Sequence, residues 1–598
     1  MKRSKKYTRR ISKLAAPFLA GCMLLTGCGS STGSTGTGSS GNPSDPGTTE
    51  KIVAALTDAE IENRIAAAGS KYDGLYDPSD DTLNYKGSRG MMNAVPAMEE
   101  SVGESEAMDS GATYYNTMPD DVFVQDGNWN TENYNNIKES GFLSVSANPY
   151  STFGADVDTA TYSNLRRSIF ADDGYGISDS AIRIEEMINY FHYDYEAPKD
   201  GEKFGVTTAL APCPWNKDTL LLRVGVKAEE IQPEGGSNIV FLIDTSGSMF
   251  NNNKLPLAQK AFDLLTENLS ENDTVSIVTY AGTEEVVLEG ATGADKGRIR
   301  EAIDSLEAWG STNGEGGITK AYEIAAKYFI KGGNNRIILA TDGDLNVGIS
   351  SEADLIKLVE EKRETGVFLS CLGFGEGNYQ DSKMEALADY GNGNYSYIDC
   401  TAEATKVLKE EMWSTLYTVA KDVKFQVEFN PEQVKGYRLI GYENREMAAE
   451  DFANDKKDGG EVGSGQTVTV LYEVVPADSA YEIKGVESRY GNESTKENTE
   501  ETSLKNELLA VNIRYKEPDA TESKLLTYPV SKDMIEEEMD ADTSFAAGVA
   551  EFGMLLRGSE YKGTASYTEI YDRLKTIPGV TDDTYKAEFL YLVQKVNK

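Results

Sequence analysis

The hydrophobic pattern of this 598-residue chain changes character along its length. Between residues 237 and 420, continuous apolar runs alternate with helical periodicity. The run from Asn238 to Asp244 (NIVFLID) has no polar interruption, as in a parallel strand buried on both faces. Ala258, Ala261, Phe262, Leu265 and Leu269 then line one helical face, with Pro256 near the first turn. Strands over 274–280, 336–341, 367–373 and 394–398 and a short edge strand near Val286 follow. Helices over 296–306, 317–330, 352–365, 383–390 and 403–416 fall between and after them. The alternation predicts a doubly wound α/β domain with helices on both faces of a parallel sheet.

The flanks read differently. Residues 141–230 mix a strand near 150, a helix starting after Asp158 or Thr159 as cap, a helix over 181–191 and strands over 205–210 and 220–226, an α+β pattern. Residues 421–598 are β-rich, with alternating strands over 422–429, 467–475 and 508–515. Two helices then follow, marked by Phe545, Val549, Phe552 and Leu556 and by Phe589, Leu590 and Val593. The polar stretch 478–503 reads as a loop.

Before residue 141 periodicity fades. Thr57 and Glu60 have capping-box spacing ahead of Ile61, Ile65 and Ala68, which share a helical face. The rest of 51–140 is rich in Gly, Asn, Asp, Ser and Tyr and is expected to be a mostly disordered spacer. Residues 28–50 form a Gly/Ser/Thr-rich tether. Residues 1–27 open with Lys2, Arg3, Lys5, Lys6, Arg9, Arg10 and Lys13. An apolar stretch over 14–25 follows, of secretory length and short for a bilayer span. It ends in Leu25-Thr26-Gly27-Cys28, which resembles a bacterial lipobox; an alternative ending at Cys22 leaves only a stub of apolar residues. The resemblance implies a signal peptide over 1–27, lipidation of Cys28 and an extracytoplasmic, membrane-anchored protein.

Composition narrows the function. There are 58 basic and 98 acidic side chains, for a formal net charge of −40. Loss of the seven basic leader residues would take it to −47. Such a chain lacks the basic stripe that nucleic-acid binding requires. His192 is the one histidine, which argues against Ser-His-Asp, Cys-His and multi-histidine metal chemistry. With Cys28 acylated, Cys213, Cys371 and Cys400 allow at most one disulfide, so stability is expected to come from a core.

The chemistry-bearing residues lie in the central block. Asp244-Thr245-Ser246-Gly247-Ser248 leaves the first sheet strand, placing a carboxylate and two hydroxyls at the sheet's ligand-binding edge. Thr312 sits in the loop Gly310-Ser311-Thr312-Asn313-Gly314, and Asp342 ends a later strand in Thr341-Asp342-Gly343. Hard oxygen donors of this kind suit Mg²⁺ or Ca²⁺. The set D-x-S-x-S, then T, then D resembles the metal-ion-dependent adhesion site of von Willebrand factor type A domains. That resemblance implies hydroxyls of Ser246, Ser248 and Thr312 on or near a divalent cation. Asp244 and Asp342 would act largely through water or hydrogen bonds. Mg²⁺ is the expected ion, with Ca²⁺ or Mn²⁺ as alternatives. From about residue 142 onward the chain also resembles bacterial lipoproteins with a type A domain (here 237–420) and their own flanking regions. The expected function is adhesion-type binding of a protein partner whose acidic side chain completes the metal. An envelope assembly or chaperone-like factor, and a metal-dependent hydrolase, are the alternatives.

Other motifs carry less. Asp156-Val157-Asp158-Thr159 is similar to the paired aspartates of haloacid dehalogenase phosphatases, but Ala160 breaks the pattern, and a turn with a helix cap is expected. His192, among Tyr190, Phe191, Tyr193 and Tyr195, reads as packing. Cys371 reads as an inert core thiol, and Asp344 as a solvated turn residue.

Overall fold

The first element of the computed structural model is α1 (Asp58–Gly69). The structure describes residues 56–73, 132–171, 178–199, 201–231, 235–345, 352–483, 506–518 and 520–598. The leader, Cys28, the tether and residues 74–131 of the spacer lie outside the described residues. The described elements belong to one unit, Thr57–Lys598.

After α1 come β1 (Leu143–Ser144), β2 (Tyr150–Gly154), α2 (Ala160–Ala171), α3 (Ile184–Asn189), β3 (Phe204–Pro212) and β4 (Leu220–Ala228). The central block contains β5 (Ser237–Asp244), α4 (Leu255–Asn268), β6 (Thr274–Tyr280), β7 (Glu284–Thr292), α5 (Lys296–Asp304) and α6 (Gly314–Lys327). It continues with β8 (Asn334–Thr341), α7 (Glu352–Arg363), β9 (Phe368–Phe374), α8 (Asp381–Tyr390), β10 (Tyr395–Ile398), α9 (Thr401–Thr405) and α10 (Met412–Leu416). The chain ends with β11 (Thr418–Phe429), β12 (Val434–Ile440), β13 (Gly460–Gly463), β14 (Thr467–Pro476), β15 (Glu507–Lys516), β16 (Lys524–Ser531), α11 (Ala541–Leu556), α12 (Tyr567–Leu574) and α13 (Thr584–Val596).

The central sheet has the order β10-β9-β8-β5-β6-β7, parallel except for β7, which runs antiparallel to β6. Alternate residues of β5 explain its unbroken apolar run. Ile239, Phe241 and Ile243 pack toward Ala258, Phe262 and Leu265 of α4 and Ile299 of α5. Val240 and Leu242 pack toward Ile318 and Ala321 of α6 and Val359 of α7. Each burial contributes about 1.5–3 kcal/mol, so both faces need a helical layer. The chain winds one way from β5 through β6 and the other way through β8. The carboxyl ends of β5 and β8 therefore border a crevice at the topological switch point.

The two flanks fold into each other. β1, β12, β14, β4 and β3 form one antiparallel sheet, so strands from before and after the central domain alternate. In it Val470 of β14 faces Val224 of β4. The second sheet is β13-β11-β15-β16, with β2 also pairing β11. There Phe425 faces Phe153, their rings stacked 5.3 Å apart. Apolar residues of both sheets share one core, including Val226, Val427, Val470 and Ile513. A second core joins α1, α2 and α3 to α11, α12 and α13 through Ile65, Leu165, Ile188, Phe545 and Phe589.

Several local expectations change. The Thr57–Glu60 capping box is present, and Ile65 and Tyr72 are buried, so the start of the spacer is docked on the body. Its other end is docked too: Glu132 pairs with Arg167, and Asn133 bridges to Gln380. Only Ile184–Asn189 of the 181–191 segment is α-helical, preceded by a 3₁₀ turn at Asp179–Ala181. The 403–416 helix is broken by a π turn at Lys406–Glu410. The edge strand near Val286 extends over nine residues as β7. Asp158 does not cap α2; its carboxylate accepts the Tyr395 N–H (2.7 Å) and pairs with Arg445. The Thr161 N–H at that helix start is satisfied by Glu186 instead (2.8 Å). The sequence pattern does not predict the strands β1, β12, β13 and β16 or the helix α12.

Candidate metal centre

Asp244 leaves β5 with its carboxylate fully buried. Its Oδ1 accepts the Ser246 N–H at 2.9 Å, closing an Asx turn that folds the loop back. Its Oδ2 accepts the Thr341 hydroxyl at 2.7 Å and the Tyr280 hydroxyl at 3.3 Å. The Ser246 and Ser248 hydroxyls then lie 3.0 Å apart. Backbone hydrogen bonds strap this loop to the loop between α5 and α6. Gly247 N–H donates to Gly310 C=O (3.0 Å), and Trp309 N–H donates to Thr245 C=O (2.8 Å). A Cβ at Gly247 would meet that Gly310 oxygen at 3.2 Å, a tight contact that glycine avoids. The strap brings in the loop that carries Thr312, which is buried, and Asn313 caps α6 by accepting the Gly316 N–H.

Asp342, also fully buried, follows β8. Thr341 Oγ1 both donates to Asp244 and accepts the Gly343 N–H (3.1 Å), linking the two aspartate loops. Asp342 Oδ1 accepts the Asp344 N–H (3.1 Å). Its Oδ2 accepts the Lys254 ammonium (2.9 Å) and the Asn378 amide (3.1 Å). Asp344 itself is half-buried rather than solvated, and burial, then Asp342, raise its carboxyl pKa.

Three loops thus carry the predicted set: Asp244, Ser246 and Ser248 after β5, Thr312 before α6, and Asp342 after β8. Burial, and next the Asp342 carboxylate, push Asp244 up to about 6 despite its hydrogen bonds from Ser246 and Thr341. Two buried carboxylates in mutual repulsion, beside neutral hydroxyls, are a donor set that a hard divalent cation relieves. Among the described residues no three His, Cys, Asp or Glu side chains are grouped so as to hold a metal ion, so any ion here would rest on hydroxyls as much as on carboxylates. Beside the loops opens a cleft of about 590 Å³ lined by Thr245, Glu285, Trp309 and Ser311. The Trp309 and Phe250 side chains at this end are 71% and 76% exposed.

Sequence reasoning passed over Lys254 and Asn378. A signal existed for Lys254: a cation just before a helix opposes the helix dipole and needs a fixed partner to offset it. Asn378 carried none. His192 is not packed among aromatics; its side chain is 66% exposed, with Nε2 3.0 Å from Glu411. Cys213, Cys371 and Cys400 are free and buried.

Three family models match the chain. They are von Willebrand factor type A domain over residues 238–411, von Willebrand factor over 128–223, and "Uncharacterized protein YfbK, C-terminal" over 414–598. YfbK of Escherichia coli (strain K12) is 42% identical over 474 residues, covering 78% of this chain and 81% of that protein. The chain belongs to the YfbK family of type A domain proteins. Beyond that family, inter-alpha-trypsin inhibitor heavy chain 4 of Mus musculus is 28% identical over 181 residues, 29% of this chain and 19% of that protein. A solved von Willebrand factor type A structure from Catenulispora acidiphila aligns at TM-score 0.37 and 16% identity, covering 60% of this chain and 80% of that one. The type A match begins at the second residue of β5 and ends just before α10. In this YfbK-family chain the matched segment is therefore the central sheet with its helices, and the three candidate loops all fall inside it. Domains of this type typically mediate protein–protein interactions and commonly bind a divalent metal.

Proposed function

We propose that this chain is a non-enzymatic, membrane-anchored extracytoplasmic protein that binds a protein partner through a divalent cation, Mg²⁺ in preference to Ca²⁺ or Mn²⁺. The observation that supports the reading is the pairing of two buried carboxylates, Asp244 and Asp342, with the Ser246 and Ser248 hydroxyls at the switch point of the sheet, in a loop strapped to the one that carries Thr312. Ser246, Ser248 and Thr312 would hold the ion, while Asp244 and Asp342 balance its charge through water or hydrogen bonds. The ion, when bound, supplies an electrophilic position that a partner's carboxylate oxygen fills. Exposed Trp309 and Phe250 beside the site fit a protein contact, since aromatic residues are enriched in interfaces. The non-enzymatic reading is supported by the two site carboxylates, each of which is already engaged as a hydrogen-bond acceptor within the fold. The anchor reading rests on the leader and Cys28.

Cross-linking on intact cells followed by pull-down, with and without EDTA, tests the binding. Partner capture is expected to vanish with EDTA and in Asp244→Ala and Asp342→Ala. Capture that survives both substitutions would sink the metal-bridge reading. For the anchor, Cys28→Ala is expected to shift the protein from membranes to the soluble fraction.

A further inference from the structure

Lys254 is the residue before α4, and its ammonium is buried, 4% exposed. It donates to Asp342 Oδ2 at 2.9 Å and to Asn378 Oδ1 at 2.7 Å. The Asn378 amide donates back to the same Asp342 oxygen, so the three side chains close a triangle. The stem is held as firmly as the head. A Cβ on Gly375, which has φ +80°, would lie 2.2 Å from Lys254 Cε, so the side chain occupies the space above a glycine. An ammonium this buried is retained only where a carboxylate compensates it.

The charge count at the site follows. Asp244 and Asp342 supply two negative charges and Lys254 one positive charge, while the half-buried Asp344 that follows Asp342 is offset by Lys383. Without the lysine, a divalent cation would neutralise the two aspartates and gain little from a further anion. With it, the loaded site carries a formal charge of +1. We propose that Lys254 is a built-in counter-cation of this site, which weakens divalent-ion binding and makes the loaded site require an anionic ligand. The inference rests on the metal reading above and deepens it. It gives a physical reason for a carboxylate partner that the five site residues alone do not supply.

The test uses the full chain. Mg²⁺ binding is measured by calorimetry, and acetate binding to the Mn²⁺-loaded protein by water-proton relaxation, with acetamide as the neutral control. Lys254→Met is expected to bind Mg²⁺ about tenfold more tightly or better, and to bind acetate about tenfold more weakly, from removal of one nearby charge at the effective dielectric of a protein site. Lys254→Gln retains an amide donor toward Asp342 and is expected to shift both affinities the same way, which serves if the methionine variant does not fold. Lys254→Arg keeps the charge and is expected to stay near wild type. Unchanged or weaker Mg²⁺ binding in the neutral variants, or unchanged acetate binding, overturns the role of Lys254 and leaves the metal site standing. A wild-type protein that binds neither Mg²⁺ nor Mn²⁺ overturns both.

Discussion

The Arg166 guanidinium meets the Asp399 carboxylate in a bidentate pair, Nε to Oδ2 at 2.8 Å and Nη2 to Oδ1 at 2.6 Å, with both side chains fully buried. The same guanidinium reaches Glu403 at 2.8 Å and Glu588 at 2.9 Å. Arg166 lies on α2, Asp399 just past β10, Glu403 on α9 and Glu588 on α13. One arginine therefore ties the N-terminal flank, the type A domain and the last helix together.

Removing that cation leaves three buried carboxylates facing one another. Arg166→Met is expected to cost about 3–5 kcal/mol of stability, the usual penalty for stranding buried charges. Urea unfolding followed by circular dichroism measures it. A loss below about 1 kcal/mol would mean that water reaches the cluster and solvates it.

Docking of α1 depends on a missing side chain. A Cβ on Gly69 would lie 2.0 Å from Cγ of Tyr591, near the root of a side chain on α13 that cannot swing away. Gly69→Ala is expected to cost about 1–3 kcal/mol through overpacking. Limited proteolysis should then cut residues 57–73 while leaving the central domain intact. Protection equal to wild type would show that the helix can shift without loss.

Glu185 is buried, and its Oε2 has no hydrogen-bond partner. Burial, then Glu443 and Asp156, push its carboxyl up to about 8 from an ordinary value of 4.5. The folded state therefore binds a proton that the unfolded chain releases. That contribution is full below about pH 4.5 and is lost as pH rises through about 8. Glu185→Gln is expected to raise the melting temperature at about pH 9 and to change it little at about pH 4, as read by scanning calorimetry. A gain that is the same at both values would rule out protonation as its source.

A body with net charge −40 repels an acidic partner at long range, although the proposed site seeks a carboxylate at contact. Salt screens the repulsion beyond roughly 8 Å at physiological strength and leaves the contact largely untouched. Association rates measured by stopped flow are expected to rise with added salt. A rate that falls would identify a basic partner steered by the acidic surface.

The central domain was legible because its physics is local. An apolar run buried on both faces, as in β5, cannot be mistaken for an amphipathic strand, and the Asp-x-Ser-x-Ser turn follows it directly. The positions of Ser246 and Ser248 come from an Asx turn within five residues. The remaining partners are set by distant chain. Lys254 finds Asp342 across 88 residues, and Asn378 reaches the same carboxylate across 36. Glu186 takes the helix-capping role expected of Asp158 or Thr159, and Arg445 and the Tyr395 amide engage Asp158 instead. The exposed position of His192 was hidden for the opposite reason: its aromatic neighbours in sequence pack inward while it faces out.

By itself the sequence determined the doubly wound domain and the order of its strands and helices, and it named the five residues of the candidate site, since hydrophobic period and turn chemistry act over a few residues. Tertiary structure alone decided that the flanks are not two regions. β14 needs β4, and β2 needs β11, to satisfy their backbone hydrogen bonds and cover their apolar faces. Half of each flank's alternating pattern is incomplete until the other arrives. Tertiary structure also decided the charge of the site, because only the folded chain brings the Lys254 ammonium to the Asp342 carboxylate.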